Sequence, residues 1–395
     1  MSPSGPHAQA PSAGLHELDG VRVVDFTQAL SGPFATMMLA DLGADVVKVE
    51  PPGRGDDSRH WGPPFVGETA AYFLSVNRNK RSVALDLKDD EDRDAALRLV
   101  SGADVVVENW RPGTAARLGL GPESLRRHHP RLVVCSVSGY GQDGDPRAGY
   151  DQIVQGTSGV MSLTGPTGQP MKWGVPGGDL AAGMFAATAI VAALYRRGTT
   201  GVGCHIDIAM QDSLVAMLSH QAARYLSTRT VPGSDVNGHA SIAPYGSFEV
   251  ADGHVNICVG NDAQFRRLSE ALALPELADD ARFVSNRARL EHRAELLQVL
   301  DQTLRLRSVV AVTGLLEAAG VPVGPVRDLA EVLEDPEVRR RSMLLRVGHP
   351  DDPTTEVVNG PIKIDRCAPA VRRQPPRLGE HTEEVLAEAP EGGPG

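Results

Sequence analysis

The chain has 395 residues, of which 41% are apolar and 23% charged, as in an ordinary globular protein. Its 42 glycines and 29 prolines follow no repeat period, which excludes a collagen-like or wholly disordered chain. The net charge of −11 argues against a nucleic-acid surface, because neutralising phosphates needs clustered Lys and Arg. An anionic small molecule in a local basic pocket stays compatible with that charge.

The four cysteines are far apart and form no CxxC pair, so they predict neither a zinc site nor a disulfide scaffold. We therefore expect reduced thiols in a cytoplasmic protein. The residues in question are Cys135, Cys204, Cys258 and Cys367.

Both ends of the chain have the composition of disordered tails, at residues 1–15 and 389–395. The first of these lacks the basic start and apolar stretch of a secretory signal. The longest apolar run, residues 181–195, is interrupted by small residues and predicts a buried helix rather than a membrane span.

Strand and helix patterns alternate through the first half of the chain, and this predicts a doubly wound α/β sheet. No GxGxxG motif follows the first strand, which weakens a dinucleotide-binding hypothesis. Strands are predicted at residues 21–26, 44–50, 82–86, 104–108 and 132–136, with helices at 34–42, 89–102 and 122–129 between them.

The second half begins with a long Ala-rich helix predicted over residues 179–197 and a strand over 204–208. A hairpin is then predicted around Asp252-Gly253. We interpret the chain as a large domain over residues 16–230, a smaller α+β domain over 240–325 and a return to the large domain over 326–388.

Asp179 is the first candidate for chemistry, because two glycines precede it and let the backbone approach a ligand closely. A carboxylate there could act as a nucleophile. The structural alternative is a plain helix N-cap, for which Asp is well suited. Spacing alone favours the cap.

Three further candidates have structural alternatives of their own. Tyr150-Asp151 could orient a carbonyl or move a proton, or could form an ordinary turn. A basic set near strand ends could bind phosphates, or could be solvated charge. Residues 259–262 could be a mobile loop or a simple strand end. No HExxH or GxSxG motif occurs, which disfavours metal and hydrolase chemistry. The basic set comprises Lys80, Arg81, Arg111 and Arg117.

Several segments taken together resemble the class III CoA-transferase (CaiB/BaiF-type) family, over about residues 16–388. That family also contains formyl-CoA transferase, carnitine CoA-transferase and α-methylacyl-CoA racemase. The matching segments are LDGVRVVDFT at 18–27, ADLGADVVKVE at 40–50, NKRS at 79–82, DVVVEN at 104–109, RPG at 111–113, GYD at 149–151 and GD at 178–179.

The resemblance implies an interlocked homodimer with a Rossmann-like large domain and a smaller α+β domain. It implies that Asp179 is the nucleophile and that Tyr150 orients the acyl carbonyl. The glycine-rich loop of formyl-CoA transferase falls on Gly260 and Asn261, where this chain has only one glycine. The CoA-contacting positions fall on Gln28, Ala29, Lys80, Asn109, Arg111, Arg117 and Leu118.

Within the family, the middle of the chain is most similar to succinyl-CoA:glutarate and related dicarboxylate CoA-transferases. The resemblance implies CoA transfer from an acyl-CoA to a free carboxylic acid, with acyl-CoA as substrate and no other cofactor or metal. A racemase or a lyase acting on an acyl-CoA is the alternative, but the racemases carry a histidine where this chain has Tyr150.

Two further expectations concern the chemistry of such a transfer. The distal carboxylate of a dicarboxylate needs a cation, for which His220, Arg224 and His239 are the candidates. Backbone N–H groups at Gly177-Gly178 are expected to hold the oxyanion. Neither nucleic acid nor membrane is expected as a partner.

Overall fold

A computed structural model describes residues 14–166, 168–234, 236–348 and 352–390. The chain divides into two compact units. The predicted tails, 1–15 and 389–395, lie largely outside the described residues, although Leu15 is described and is buried. The first unit comprises Met1–Met161, Lys172–Thr230 and Pro336–Gly395, and the second comprises Ser162–Met171 and Val231–Asp335.

A six-stranded parallel sheet forms the centre of the first unit and confirms the predicted α/β class. In chain order its strands are arranged third, second, first, fourth, fifth and sixth, which is the Rossmann order. The strand order reverses between the first and fourth strands, and ligands of such sheets bind beyond the carboxyl ends of the strands at that point. The strands are β1 (Arg22–Asp25), β2 (Asp45–Glu50), β5 (Lys80–Ala84), β6 (Val105–Glu108), β7 (Val133–Ser138) and β8 (His205–Ala209), with a short hairpin of β3 (Phe65–Val66) and β4 (Thr69–Ala70) between β2 and β5.

Helices cover both faces of this sheet. Valines alternate between two apolar clusters along β1, β2, β6 and β7, so these strands are buried on both sides, as in parallel sheets generally. The helices are α1 (Ser31–Asp41), α2 (Ala71–Val76), α3 (Asp90–Ser101), α4 (Thr114–Arg117), α5 (Pro122–His128), α6 (Asp151–Thr157), α7 (Gly177–Thr200), α8 (Met210–Met217) and α9 (Ser219–Thr228), with 3₁₀ turns at Asp57–His60 and Val160–Leu163.

The long helix α7 is the predicted Ala-rich helix, and it begins two residues earlier than expected. Gly183 lets it pack against α1, since a Cβ there would lie 2.7 Å from the backbone oxygen of Ser31. Among the described residues, α7 alone is long and apolar enough to cross a membrane, but half of that stretch is buried within the protein. It is therefore a core helix whose first turn is fixed against α1.

The second unit is built on an antiparallel sheet with the strand order β11-β10-β9. Its hairpin turns at Asp252, as the sequence predicts, and helices pack on a core of Phe, Leu and Val side chains. The segment predicted as a small domain, 240–325, lies within this unit. The elements are β9 (Tyr245–Val250), β10 (Gly253–Cys258), α10 (Asp262–Ala271), a 3₁₀ turn (Pro275–Ala278), α11 (Asn286–Glu291), α12 (Arg293–Leu304), α13 (Val309–Ala318), β11 (Val323–Pro325) and α14 (Leu329–Glu334).

After residue 335 the chain rejoins the first unit. The backbone N–H of His381 donates to the carbonyl of Ser82 at 2.9 Å, which ties the C-terminal segment to strand β5. The remaining elements are α15 (Pro336–Arg340), β12 (Leu344–Arg346), β13 (Glu356–Val358) and α16 (Thr382–Glu388).

Candidate active site

A cavity of about 450 Å³ opens at the carboxyl ends of the central strands, where the strand order reverses. Its size is in the usual range for small-molecule sites. The segments that follow β1, β6 and β7 line it, together with the first turn of α7. The sheet topology therefore places this cavity where ligands of Rossmann-like sheets bind.

Asp179 lies in the first turn of α7 and lines the cavity. The two glycines before it are sterically required, because a Cβ on Gly177 would lie 2.3 Å from the Trp173 ring and one on Gly178 would lie 2.8 Å from Val154. The N-cap position of α7 is occupied by Pro176, and no side chain caps the helix by a hydrogen bond. The alternative that Asp179 is a plain N-cap is therefore wrong. The carboxylate is thus available for chemistry.

Burial, together with the nearby carboxylate of Asp151, raises the pKa of Asp179 to about 7. Hydrogen bonds from the side chain and backbone of Ser31 act in the opposite direction, because they stabilise the ionised form. A carboxyl group with a pKa near neutrality is a strong candidate for a functional group, since it exchanges protons and charge within the physiological range.

Asp151 also lines the cavity, but its carboxylate oxygens are bonded to the start of α7 and to Gln155. Its Oδ1 accepts the N–H of Gly178 at 2.8 Å and that of Asp179 at 3.4 Å, while its Oδ2 accepts from Gln155 at 2.7 Å. The Gln155 Oε1 in turn accepts the N–H of Trp173 at 2.8 Å. This chain of bonds aligns the segment before Asp179.

The same bonds correct the expected oxyanion site. The N–H of Gly177 donates to the carbonyl of Val175 at 2.8 Å, and the N–H of Gly178 donates to Asp151. The predicted donors at Gly177-Gly178 are therefore already engaged within the protein. The turn at Gly177-Gly178 was predicted correctly from the sequence, but the sequence did not show that the Asp151 carboxylate accepts the N–H of Gly178.

Three tyrosines, Tyr72, Tyr140 and Tyr150, line the cavity beside the aspartates. Tyr150 precedes α6 and is 67% exposed, so its phenol is accessible to a ligand. Tyr72 was not predicted from the sequence. Burial raises its pKa to about 12, and the negative charges of Asp179 and Asp151 contribute. Its phenol therefore stays protonated and neutral near pH 7 and can donate a hydrogen bond.

Gln28, Ala29 and Asn109 come together at the cavity, as predicted. The amide of Asn109 bridges β1 and β6, because its Oδ1 accepts the N–H of Gln28 at 2.9 Å and its Nδ2 donates to the Gln28 carbonyl at 2.7 Å. Ala29 has a φ of +67°, in the left-handed region, and donates its N–H to Asp56 at 3.0 Å. These contacts fix the backbone of the 28–29 turn.

The predicted cations divide into two groups. Arg111 lines the cavity and is exposed. Lys80 is fully buried, and its Nζ donates to Asp25, Asn77 and the carbonyl of Pro33 at 2.9–3.1 Å, which leaves no proton for a ligand phosphate. The structure therefore does not bring Lys80 to the cavity.

Arg117 donates to Thr114 at 2.8 Å on the exposed face of α4, and Leu118 packs against the core. Neither is among the described residues that line the cavity.

The predicted substrate residues lie elsewhere in the described part of the chain. His220 and Arg224 are on α9 and do not line the cavity, and Arg224 donates to Gln221 at 3.0 Å. His239 belongs to the second unit, where its ring lies 5.1 Å from that of Tyr245.

Gly260 and Asn261 form the start of α10 in the second unit. The N–H of Gly260 donates to Gln264 Oε1 at 2.6 Å, and the side chain of Asn261 accepts the N–H of Gln264 at 2.9 Å. This reciprocal arrangement is that of a helix cap. Of the two interpretations left open for residues 259–262, the strand end that leads into a helix describes this conformation.

Two cationic side chains of the cavity, Arg147 and Lys172, were not predicted from the sequence to bind a ligand. Arg147 lies over the ring of Tyr140, 4.2 Å from its centre, and pairs with Asp145 at 3.3 Å. Lys172 precedes Trp173, and its Nζ is 3.4 Å from that residue's carbonyl oxygen. Nothing in the sequence around Lys172 indicates a site, but the structure brings this residue to the cavity, where the next residue, Trp173, donates its N–H to Gln155.

Within the described residues, no group of three or more His, Cys, Asp or Glu side chains is placed to hold a metal ion. The cavity instead combines one carboxylate of raised pKa, three phenols, three side-chain amides and three cationic side chains. This combination suits a substrate with carbonyl and anionic groups, attacked by a carboxylate.

Comparison with known proteins agrees with this description. The family model "CoA-transferase family III" matches residues 18–382, and the chain belongs to this family. It is 43% identical over 381 residues to succinate–glutarate CoA-transferase of Agrobacterium fabrum, covering 94% of this chain and 95% of that protein. It is 40% identical over 383 residues to human succinyl-CoA:glutarate CoA-transferase, covering 96% and 87% of the two chains.

A solved structure has the same fold. The crystal structure of a CAIB/BAIF family protein from Brucella suis aligns with a TM-score of 0.86 and 39% identity, covering 96% of this chain and all of the other. The family assigned from sequence is thereby confirmed, and the protein is an enzyme of the CoA-transferase class.

Proposed function

We propose that this protein transfers CoA from succinyl-CoA to a dicarboxylic acid, with Asp179 as the covalent carrier. The observation that carries the proposal is the placement of Asp179: an accessible carboxylate at a helix start, of raised pKa, in a cavity at the reversal point of the sheet. The similarity to succinate–glutarate and succinyl-CoA:glutarate CoA-transferases supports the donor and acceptor classes.

The proposed reaction has four steps. The ionised Asp179 attacks the donor thioester, the C–S bond breaks, and CoA thiolate leaves an aspartyl–acyl anhydride. The thiolate attacks the Asp179 carbonyl, forms an aspartyl-CoA thioester and releases the donor acid. The acceptor carboxylate attacks that thioester and frees the thiolate, giving a second anhydride. The thiolate then attacks the acceptor carbonyl and leaves as the new thioester, with Asp179 regenerated.

Each step exchanges acyl groups between a carboxylate and a thiolate, so the sequence balances without an external energy source or a metal. Tyr150 is placed to orient the acyl carbonyl, because its phenol lines the cavity and is exposed. Partial burial of Asp179 limits the access of water to the anhydride, which water would otherwise hydrolyse.

The cavity cations supply charge for the anionic parts of the substrates. Arg111 follows β6 and is our candidate for a CoA phosphate, together with Arg117 on the neighbouring helix. Lys172 is tied to the nucleophile through Trp173, Gln155 and Asp151, so we assign it to the distal carboxylate of the acid. This assignment replaces His220 and Arg224, which do not line the cavity among the described residues.

We also propose that the enzyme acts as an interlocked homodimer in the cytoplasm. The resemblance to the family supports the dimer, and the cysteine spacing supports a reducing compartment. Light scattering of the purified protein should give twice the mass of one chain at micromolar concentration. A monomeric and fully active enzyme would contradict the dimer.

The test of the covalent role is the Asp179→Ala variant, assayed with succinyl-CoA and glutarate. We expect transfer to be lost, while CoA binding by calorimetry stays within about threefold of the unsubstituted enzyme. Glu68→Gln, at the exposed turn between β3 and β4, is the matched control for loss of one carboxylate and should keep full activity. Turnover by purified Asp179→Ala would refute the proposal.

A further inference from the structure

Residues 26–33, which join β1 to α1 and include the start of α1, carry three residues that line the cavity and are held by buried charged side chains. The Nζ of Lys48 donates to the carbonyl of Thr27 at 2.7 Å, and the Nζ of Lys80 donates to the carbonyl of Pro33 at 3.0 Å. Between them, the N–H of Ala29 donates to Asp56 at 3.0 Å. The backbone is thus fixed at both ends and in the middle by charged groups.

These charged groups belong to one buried network of three acids and three bases. Its ion pairs are Lys48 with Asp56 at 2.8 Å, Arg59 with Glu50 at 2.7 Å and Lys80 with Asp25 at 3.1 Å. All six side chains are buried, and buried ion pairs of this kind contribute little net stability because of their desolvation cost. A contribution to stability therefore does not explain why these six charged side chains are buried together.

The position of the network around residues 27–33 indicates a role in fixing the backbone there. The network holds Ala29 at a φ of +67°, which a non-glycine residue adopts only at a cost of about 1 kcal/mol. The same turn delivers Ser31 to the start of α1, where its side chain is buried and lines the cavity. Ser31 and Asp179 line the same cavity, and the helix that carries Asp179 packs on Ser31, since a Cβ at Gly183 would lie 2.7 Å from the Ser31 carbonyl oxygen. In this position the hydroxyl and backbone N–H of Ser31 act on the Asp179 carboxylate as hydrogen-bonding groups.

The backbone N–H of Ser31 lies in the first turn of α1, where helical N–H groups have no partner within the helix. Together with the hydroxyl it gives two donors directed at one carboxylate. The donors expected at Gly177-Gly178 are, by contrast, engaged with Val175 and Asp151. Among the described residues, Ser31 is thus the group placed to meet negative charge on the oxygen of Asp179.

We propose that Ser31 is a catalytic residue that forms the oxyanion hole of the reaction, and that the buried charge network positions it. The inference rests on the proposed function, because the oxyanion arises when the CoA thiolate or an acceptor carboxylate attacks the acylated Asp179. At that moment the carbonyl oxygen of Asp179 becomes negative. The Ser31 hydroxyl and N–H stabilise it, and collapse of the adduct expels the leaving carboxylate or thiolate.

The first test is Ser31→Ala, which removes the hydroxyl and keeps the backbone donor. Loss of one of two oxyanion donors should lower kcat by about 100- to 1000-fold, with the KM of both substrates within about threefold. Ser213→Ala is the matched control, because Ser213 is buried on α8 and bonds only the carbonyl of Ala209, at 2.8 Å. A kcat within twofold of the unsubstituted enzyme in Ser31→Ala would overturn the inference.

The second test concerns the network. In Lys80→Gln the carbonyl of Pro33 loses a charged donor, and we expect kcat to fall while KM changes little. Ser31→Ala added to Lys80→Gln should then cost less than threefold, because a displaced Ser31 no longer contributes. Full additivity of the two losses would refute the positioning role of Lys80.

Two controls keep the outcome clear. Should Lys80→Gln fail to fold, Asp56→Ala removes the acceptor of the Ala29 N–H and answers the same question. Activity of Asp179→Ala would refute the covalent mechanism itself, whereas normal activity of Ser31→Ala beside an inactive Asp179→Ala would refute the oxyanion assignment alone.

Discussion

Replacing Asp179 with Asn should stabilise the protein at pH 8 and should stabilise it only about a third as much at pH 5. The reason is that the folded state raises the pKa of this carboxyl from 3.8 to about 7, chiefly by burial. Between those values the folded protein holds a proton that the unfolded chain has released. The free energy of unfolding therefore falls as pH rises through this window, and the loss is complete above pH 7.

The size of the effect follows from the same shift. At 1.36 kcal/mol for each pKa unit, a rise from 3.8 to about 7 corresponds to about 4 kcal/mol. Because the side chain keeps some exposure, we expect about 2–4 kcal/mol. Asn is neutral at every pH and keeps the volume of the side chain, so it removes this cost without leaving a cavity.

Urea unfolding at pH 5, 6, 7 and 8 measures the effect, followed by tryptophan fluorescence. All three tryptophans, Trp61, Trp110 and Trp173, belong to the first unit, so the signal reports the unit that carries Asp179. Glu68→Gln serves as the control and should give a difference that does not change with pH. If the gain from Asp179→Asn were the same at pH 5 and pH 8, the raised pKa would be wrong.

Three further predictions rest on other parts of the structure. The kcat/KM of the unsubstituted enzyme should rise with pH through an apparent pKa near 7, because only ionised Asp179 attacks, and a flat profile between pH 5.5 and 8 would contradict this. Lys172→Met should raise the KM for glutarate about tenfold or more and the KM for a monocarboxylate less than threefold. Lys172→Arg should restore the KM for glutarate. Equal effects on both acids would refute the assignment. Arg289→Met should destabilise the second unit by about 3 kcal/mol, because the buried guanidinium donates to Ala243, Phe283 and Asp262, and hydrogen exchange of β10 measures the loss.

The alternation of apolar strands and helices was enough to predict the central sheet. Each predicted strand of the first unit agrees with an observed one to within two residues, because parallel strands buried on both faces are continuous apolar runs. The position of Asp179 after two glycines was also readable, since only glycine fits against Trp173 and Val154 at those positions.

The surroundings of Asp179 were not readable. Ser31, Tyr72 and Lys172 are far from residue 179 in sequence, and only the folded chain places them on one cavity. Lys80 illustrates the opposite error: a lysine before a strand suggested a phosphate site, but its ammonium group is buried with Asp25. Local sequence gives the charge of a side chain and not the partner that neutralises it.

The central claim is that Asp179 becomes acylated and carries CoA. Mixing the enzyme with succinyl-CoA, quenching with hydroxylamine and mapping peptides by mass spectrometry tests it directly, because hydroxylamine converts an aspartyl thioester or anhydride into a stable hydroxamate. The account predicts a hydroxamate at residue 179 that requires succinyl-CoA and is absent from Asp179→Asn. Efficient turnover with an unmodified Asp179, or a hydroxamate on a different residue, would contradict it.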